Sequence, residues 1–500
     1  MIRLDLTTPL GITIALLPEI LLTVAALAVL LVVSWRHSTA DDSRLAGWLS
    51  LLGIAVSGAG LAALWVKGVE PDGLAQMVAL DPFRYATAAL VLIMAAGTIM
   101  ISLAYMERER LLAPEYYALI LLATAGMMFL VGAEDLIVLF LGLELMSVAV
   151  YVLAGFNRSN PFSAEAALKY FLIGAFASGF LLYGIALVYG ATGTTNLSLI
   201  GAQLSGKLPP LMASLGLGML LIGLGFKVAA VPFHMWAPDV YDGSPTPVTG
   251  FMATGVKAAA FAALVRVLLE AFPSAAPVWQ PVVAAMAIAS MVVGNLVALA
   301  QRPLKRMLAY SSIAHAGYLL VAVWAGSLAG AGAVLLYLFA YGLTTLASFG
   351  FLAVLGRDGE RDLTNDDLAG LAATRPGVAL GLSICMLSLL GFPGTFGFIG
   401  KWYIISATVA QGQFILPVVL VLTSVVSAGY YLPVVMAMYM KPAPAPSREG
   451  GARLNPAALG AIGVSVALII LLGVWPGGLL DLAGQSAATL TQTARPLAGP

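Results

Sequence analysis

Gly225-Phe226-Lys227-Val228-Ala229-Ala230-Val231-Pro232-Phe233-His234 closes an apolar run that opens at Leu211 and is long enough to enter a membrane. A proline five residues after the lysine removes a backbone hydrogen bond and clashes with the preceding turn, so a helix is expected to break just after Lys227. A second stretch repeats the pattern. From Pro376 to Ala410 a straight helix would be about 50 Å long, against a hydrocarbon core of about 30 Å. Gly391-Phe392-Pro393-Gly394-Thr395-Phe396-Gly397 interrupts it shortly before Lys401. Broken spans at corresponding places of two halves point to an all-α polytopic membrane protein built from repeats, with the breaks at Pro232, Gly391, Pro393 and Gly394.

Composition agrees. The 500 residues are 61% hydrophobic and 10% charged, with a mean hydropathy of +0.98, against roughly 25% charged residues in soluble proteins. Net charge is zero, and without a basic face no nucleic-acid partner is expected. The single cysteine, Cys385, excludes an internal disulfide and offers no thiolate set for zinc or an Fe–S cluster. Glycine-rich nucleotide fingerprints are missing, so no cofactor and no metal site is expected in this chain, and any redox chemistry belongs to another one.

Runs of spanning length cover 10–34, 45–66, 83–105, 115–132, 135–155, 165–190, 211–235, 249–270, 278–300, 305–326, 329–356, 376–410, 414–440 and 455–476, about fourteen helices. The first, Leu10 to Ser34, exceeds a signal-peptide core and reaches Trp35-Arg36-His37 without a small-residue cleavage site, so it reads as a span; no organelle transit leader precedes it. A bacterial plasma (inner) membrane is the expected location. Arg36, Arg44, Arg108, Arg110, Arg158, Arg302, Lys305, Arg306, Arg357, Arg361, Arg375, Lys441, Arg448 and Arg453 follow odd-numbered spans, whereas Arg3, Lys67, Arg84, Lys207 and Arg495 lie on the other side. The positive-inside rule then places both termini on the non-cytoplasmic side. The expected division is 1–110 as an N-terminal three-helix segment, 111–272 as a first five-helix unit, 273–440 as a second, and 441–500 as a C-terminal helix and tail. Five is odd, so the second unit must be inverted.

Four charges fall deep inside these runs: Glu144, Lys227, Lys257 and Lys401. Each costs roughly 2.5–3.5 kcal/mol to insert at a helix centre, and such residues mark ion or proton pathways. Burial disfavours an ammonium and a nearby carboxylate restores it, so separating Glu144 from Lys227 would release a proton toward Lys257 and then Lys401. Lys169 and Glu165 read as an interfacial anchor or an input route. His234, after the first break, and His315, in the tenth span, are secondary relay candidates. Lys305 joins them as a secondary candidate, although with Arg306 it reads first as a marker of the cytoplasmic boundary. Pro18-Glu19 reads as a packing contact.

The run Gly225 to Val248, with Lys227, Pro232, His234-Met235-Trp236-Ala237-Pro238 and Asp242-Gly243-Ser244-Pro245-Thr246-Pro247, resembles the proton-conducting antiporter-like subunits of respiratory complex I. Glu165-Ala166-Ala167-Leu168-Lys169-Tyr170-Phe171, Arg306 to His315 and Gly391 to Phe396 add to the likeness, which covers nearly the whole chain and is strongest to the subunit N branch of bacterial NADH:quinone oxidoreductase. The resemblance implies a fourteen-helix fold with two inverted five-helix repeats. It implies a membrane arm whose other subunits are partners, coupled to a peripheral arm that carries FMN and Fe–S clusters and reduces quinone. Carried over, the family's fifth-span acid is Glu144, its broken-helix lysine Lys227, its eighth-span lysine Lys257 and its exit-side lysine Lys401. In the second unit no carboxylate matches Glu144; His315 or Tyr318 lies near that place.

Two other readings stay open. A subunit of a multisubunit sodium/proton antiporter would share the broken-helix lysines, yet a hard cation stripped of water wants several oxygens and only Glu144 lies deep. A structural anchor of a redox complex would use the charges as interhelical pairs, yet three central lysines outnumber one central acid.

Overall fold

The computed structural model describes residues 2–34, 40–72, 77–111, 113–206, 208–356, 363–442 and 455–491. Trp35-Arg36-His37, Lys207, Arg357, Arg361, Arg448, Arg453 and Arg495, used above to count and orient the spans, lie outside the described residues. Ten helices among those described are long and apolar enough to cross a membrane, a bent pair adds an eleventh, and three shorter apolar helices complete the set expected from the sequence.

In chain order, α1 is the bent pair Pro9–Ala15 and Leu17–Ser34, folded by 76°. Then come α2 (Ala40–Val66), α3 (Pro82–Arg108), α4 (Glu115–Val131), α5 (Leu136–Ala154) and α6 (Pro161–Thr192). The seventh span is split into α7a (Leu211–Lys227) and α7b (Trp236–Gly243). After it follow α8 (Thr246–Ala271), α9 (Ala276–Ala298), α10 (Leu304–Trp324) and α11 (Leu328–Leu355). The twelfth is split into α12a (Pro376–Leu390) and α12b (Phe396–Val409), and α13 (Ile415–Met440), α14 (Pro456–Val474) and α15 (Gly477–Ala488) close the chain. One departure from an all-helical chain is a short parallel pair, β1 (Ile2–Asp5) beside β2 (Val69–Asp72).

Both expected breaks occur. α7a ends on Lys227 itself, and the chain resumes helix only at Trp236. α12a ends on Gly391 at φ +88°, with Gly394 at φ +87°, left-handed positions that glycine alone adopts without strain. α8 is not a plain helix: Met252–Val256 and Val267–Ala271 are π-helical turns, for which the sequence carries no visible signal. α3, α8, α10 and α11 form the buried centre, while α2, α6, α13 and α14 keep apolar faces outward.

Helices approach closely at small residues, as lipid-embedded bundles require. A Cβ at Gly216 of α7a would stand 3.0 Å from the Gly184 carbonyl of α6, whereas Gly218 meets nothing within 4 Å. Gly216→Leu is therefore expected to cost about 1–3 kcal/mol by overpacking, read as a lower thermal midpoint of the detergent-solubilised protein. Gly218→Ala should be neutral or stabilising by about 0.5–1 kcal/mol.

Candidate functional site

Lys227 ends α7a at 3% exposure. Its ammonium donates to the Tyr151 hydroxyl at 3.2 Å and lies 5.0 Å from the Tyr151 ring centre and 5.4 Å from those of Tyr170 and Phe226. Trp236, first residue of α7b, stacks on Tyr170 at 4.4 Å and donates its indole N–H to the Phe226 carbonyl at 3.1 Å. Four elements thus build an aromatic cage, a favourable seat for a cation withdrawn from water. Glu144 is not in ion-pair contact with Lys227. It acts on the amine at longer range, and its Oε1 accepts from Ser178 of α6 at 2.5 Å. The Glu144 side chain is half-buried and flanked by the exposed Leu141, Leu145 and Val148.

Lys257 follows the first π turn of α8 and donates to Ser312 of α10, to its carbonyl at 2.7 Å and its hydroxyl at 2.5 Å. Tyr341 of α11 donates to that hydroxyl at 2.8 Å, and its ring lies 5.6 Å beneath the ammonium. His315, one turn further along α10, bonds through Nδ1 to Tyr337 at 2.6 Å and through Nε2 to Tyr431 at 3.1 Å; Tyr431 also bonds to Ser311. The His315 ring lies 5.1 Å from that of Tyr341, which Lys257 faces, and 5.2 Å from that of Tyr318 on the same helix.

Lys401 reaches back across its break. Nζ donates to the carbonyls of Leu389 and Leu390 at 3.1 and 2.9 Å and to Ser424 at 3.1 Å, with the Tyr318 ring 4.7 Å away. Those two carbonyls end a half-helix, where the backbone dipole favours a cation. Tyr318 accepts from Asn295 at 3.1 Å, and Tyr430 donates to the same amide at 2.8 Å. The rings of Tyr341 and Tyr318 thus connect Lys257, His315 and Lys401. His234 stands apart: it lies half-buried in the first break, with Nδ1 lacking a partner.

In the first turn of α7b, Asp239 bonds to Lys169 at 2.9 Å and to Arg306 at 2.9 Å, and Lys169 also bonds to Glu165 at 2.6 Å. Glu165 and Lys169 are thus part of a partly exposed network joining α6, α7b and α10. Lys305, the second residue of α10, turns inward. It is 7% exposed and donates to the Ser244 carbonyl at 2.8 Å, at the junction of α7b and α8.

Sequence reasoning missed a buried ionic group. Arg266 of α8 binds Asp81 through Nη2 at 2.8 Å, and through Nη1 binds Glu270 at 2.8 Å and Glu134 at 3.3 Å. Arg84, counted above among the loop residues, is fully buried. It donates to Glu19 at 2.7 Å and to the Ala15 carbonyl at 3.0 Å, so Glu19 is an ion-pair partner at the bend of α1. The available signal was Asp81, an acid directly before a proline-initiated helix, where it caps α3 by accepting from the Arg84 N–H.

Residues 133–427 match the family model described as NADH:quinone oxidoreductase/Mrp antiporter, TM. The chain is 44% identical to the NADH-quinone oxidoreductase subunit N of Gemmatimonas aurantiaca, covering 97% of this chain and 95% of that protein. To the same-named protein of Trichlorobacter lovleyi it is also 44% identical, covering 94% and 96%. Among solved structures it resembles a chain of respiratory complex I from Thermus thermophilus with bound aureothin, at 38% identity and a TM-score of 0.79, covering 93% of this chain and 99% of that one. A chain of the Mrp complex from Dietzia sp. DQ12-45-1b shares the fold at a TM-score of 0.84 and 23% identity, covering 97% and 100%.

Proposed function

We propose, for a chain that belongs to the subunit N family of NADH-quinone oxidoreductases, that it is a proton-translocating membrane-arm subunit of respiratory complex I, conducting protons along Glu144, Lys227, Lys257 and Lys401 while other subunits reduce quinone. One observation carries this reading. Three lysines are buried at mid-span, and among the described residues no carboxylate lies within 4.0 Å of any of them. An anchor built on ion pairs would neutralise them, because an unpaired buried charge is expensive. Seats made of rings, hydroxyls and half-helix carbonyls instead hold an amine whose proton can leave. His315 bridges Lys257 and Lys401, while Lys169, Glu165, His234 and Lys305 are secondary input groups on the side of α7b.

The division into units 111–272 and 273–440 is part of the proposal. α4 crosses α5 on Gly126 and Gly142, as α9 crosses α10 on Gly294 and Gly317, and each unit's fourth helix is the broken one. Basic residues after odd spans favour a cytoplasmic face there and both termini on the opposite side, in a bacterial inner membrane. Glu144, half-buried at the edge between the inward face of α5 and its exposed Leu141, Leu145 and Val148, calls for cover by a neighbouring membrane subunit. FMN and Fe–S clusters would reside in the peripheral partners.

The test is to purify the complex through this chain, reconstitute it in vesicles, and follow NADH-driven quinone reduction together with proton uptake. Coupled uptake that does not require sodium is the expected result. Purification without any NADH-oxidising partner, or exchange that requires sodium, would favour the antiporter reading. Glu144→Gln, which keeps the Ser178 contact but removes the charge, should depress proton uptake and quinone reduction together.

A further inference from the structure

Glu144, Ser147 and Tyr151 lie at i, i+3 and i+7 of α5 and so share one face of the helix. The face points toward Lys227, whose ammonium donates to the Tyr151 hydroxyl at 3.2 Å. Ser147 is buried one turn before Tyr151 on that face, and its hydroxyl donates to the Leu143 carbonyl. The Tyr151 ring is held from two sides. A Cβ at Gly174 of α6 would stand 2.7 Å from its Cζ, so glycine leaves the notch it fills, and Tyr170 meets it edge-on at 4.7 Å.

We propose that Tyr151 and Ser147 are the relay through which Lys227 and Glu144 exchange a proton, in place of a direct ion pair. The inference rests on the proton-path reading above. In the forward step an N–H bond of the Lys227 ammonium breaks as its proton binds Tyr151 Oη. The Tyr151 proton moves to Ser147 Oγ, and the Ser147 proton, turned away from the Leu143 carbonyl, moves to the Glu144 carboxylate. Three bonds to hydrogen break and three form, leaving a neutral amine and a neutral acid, with both hydroxyls restored. Ser178, donating to Glu144 Oε1, leaves the second oxygen of that carboxylate to receive the proton.

The decisive variant is Tyr151→Phe in the assembled complex, because it keeps the ring in the Gly174 notch and over the ammonium while removing only the hydroxyl. Quinone reduction and proton uptake per assembled complex should fall together on the order of 100-fold, the scale of a lost positioned proton-transfer group, with a changed solvent isotope effect. Ser147→Ala should act likewise, and Ser147→Thr, which retains a hydroxyl, should recover most of the rate. Parent turnover and isotope effect in Tyr151→Phe would overturn the relay, as would a loss confined to assembly yield. In either case a dead Lys227→Ala complex would leave the proton-path reading standing, whereas an active one would remove that reading itself.

Discussion

Lys227→Ala is expected to stop quinone reduction and proton uptake together in the reconstituted complex, lowering both on the order of 100-fold or more while the complex still assembles. The amine is the group that gains and loses the proton, and its seat offers no substitute: Tyr151, Tyr170 and Phe226 present rings and one hydroxyl, and no second base lies in the cage. Assembly should survive because alanine removes a charge from an aromatic box without leaving a partner carboxylate stranded. Lys227→Arg sharpens the test. A guanidinium stacks on aromatic faces and stays protonated at any working pH, so the cage would be filled by a fixed charge. An inactive but assembled Lys227→Arg complex is the expected result. Parent activity in it would make Lys227 an architectural cation, and parent activity in Lys227→Ala would remove the row from the mechanism altogether.

The span number and both breaks were legible because they depend on local facts: run length, proline and glycine. Lys401 stood out for a similar reason, since no other charge lies between Gly377 and Met440. What surrounds each lysine was not legible. Tyr151, Tyr170 and Trp236 come from three helices, and nothing in an apolar run distinguishes a tyrosine facing an ammonium from one facing lipid. Arg84 misled for a physical reason: a cation in the first turn of a helix, three residues after Asp81, counts with the loop charges, yet here it turns inward to Glu19, which lies 65 positions away. Lys305 likewise turns inward, its stem carrying the ammonium to the Ser244 carbonyl, a contact that its place beside Arg306 did not announce. Whether Glu144 meets Lys227 was not legible either: they bond instead to Ser178 and Tyr151, because their reach is set by how α5, α6 and α7a cross.

The largest loss of stability should come from Arg266→Leu. This guanidinium is 1% exposed and holds three carboxylates from separate parts of the chain: Asp81 at the start of α3, Glu134 in the turn between α4 and α5, and Glu270 in the last turn of α8. Removing it strands acids that cannot be hydrated, at about 3–5 kcal/mol, and should show as loss of the chain from membranes or a steep fall in the thermal midpoint of the complex. The damage would spread through Asp81, which also caps α3 and borders Arg84, the residue that fixes the bend of α1. Electrostatics rather than lost packing is separable by adding Glu270→Leu, Glu134→Gln and Asp81→Asn to Arg266→Leu. Asparagine caps a helix as well as aspartate does, and an ion cluster replaced whole by uncharged side chains is often close to neutral. Recovery of assembly in the combined variant would locate the cost in the stranded charges. No recovery would mean that Arg266 acts through its packed stem, and full stability of Arg266→Leu alone would show that the cluster does not hold the N-terminal helices to the first unit.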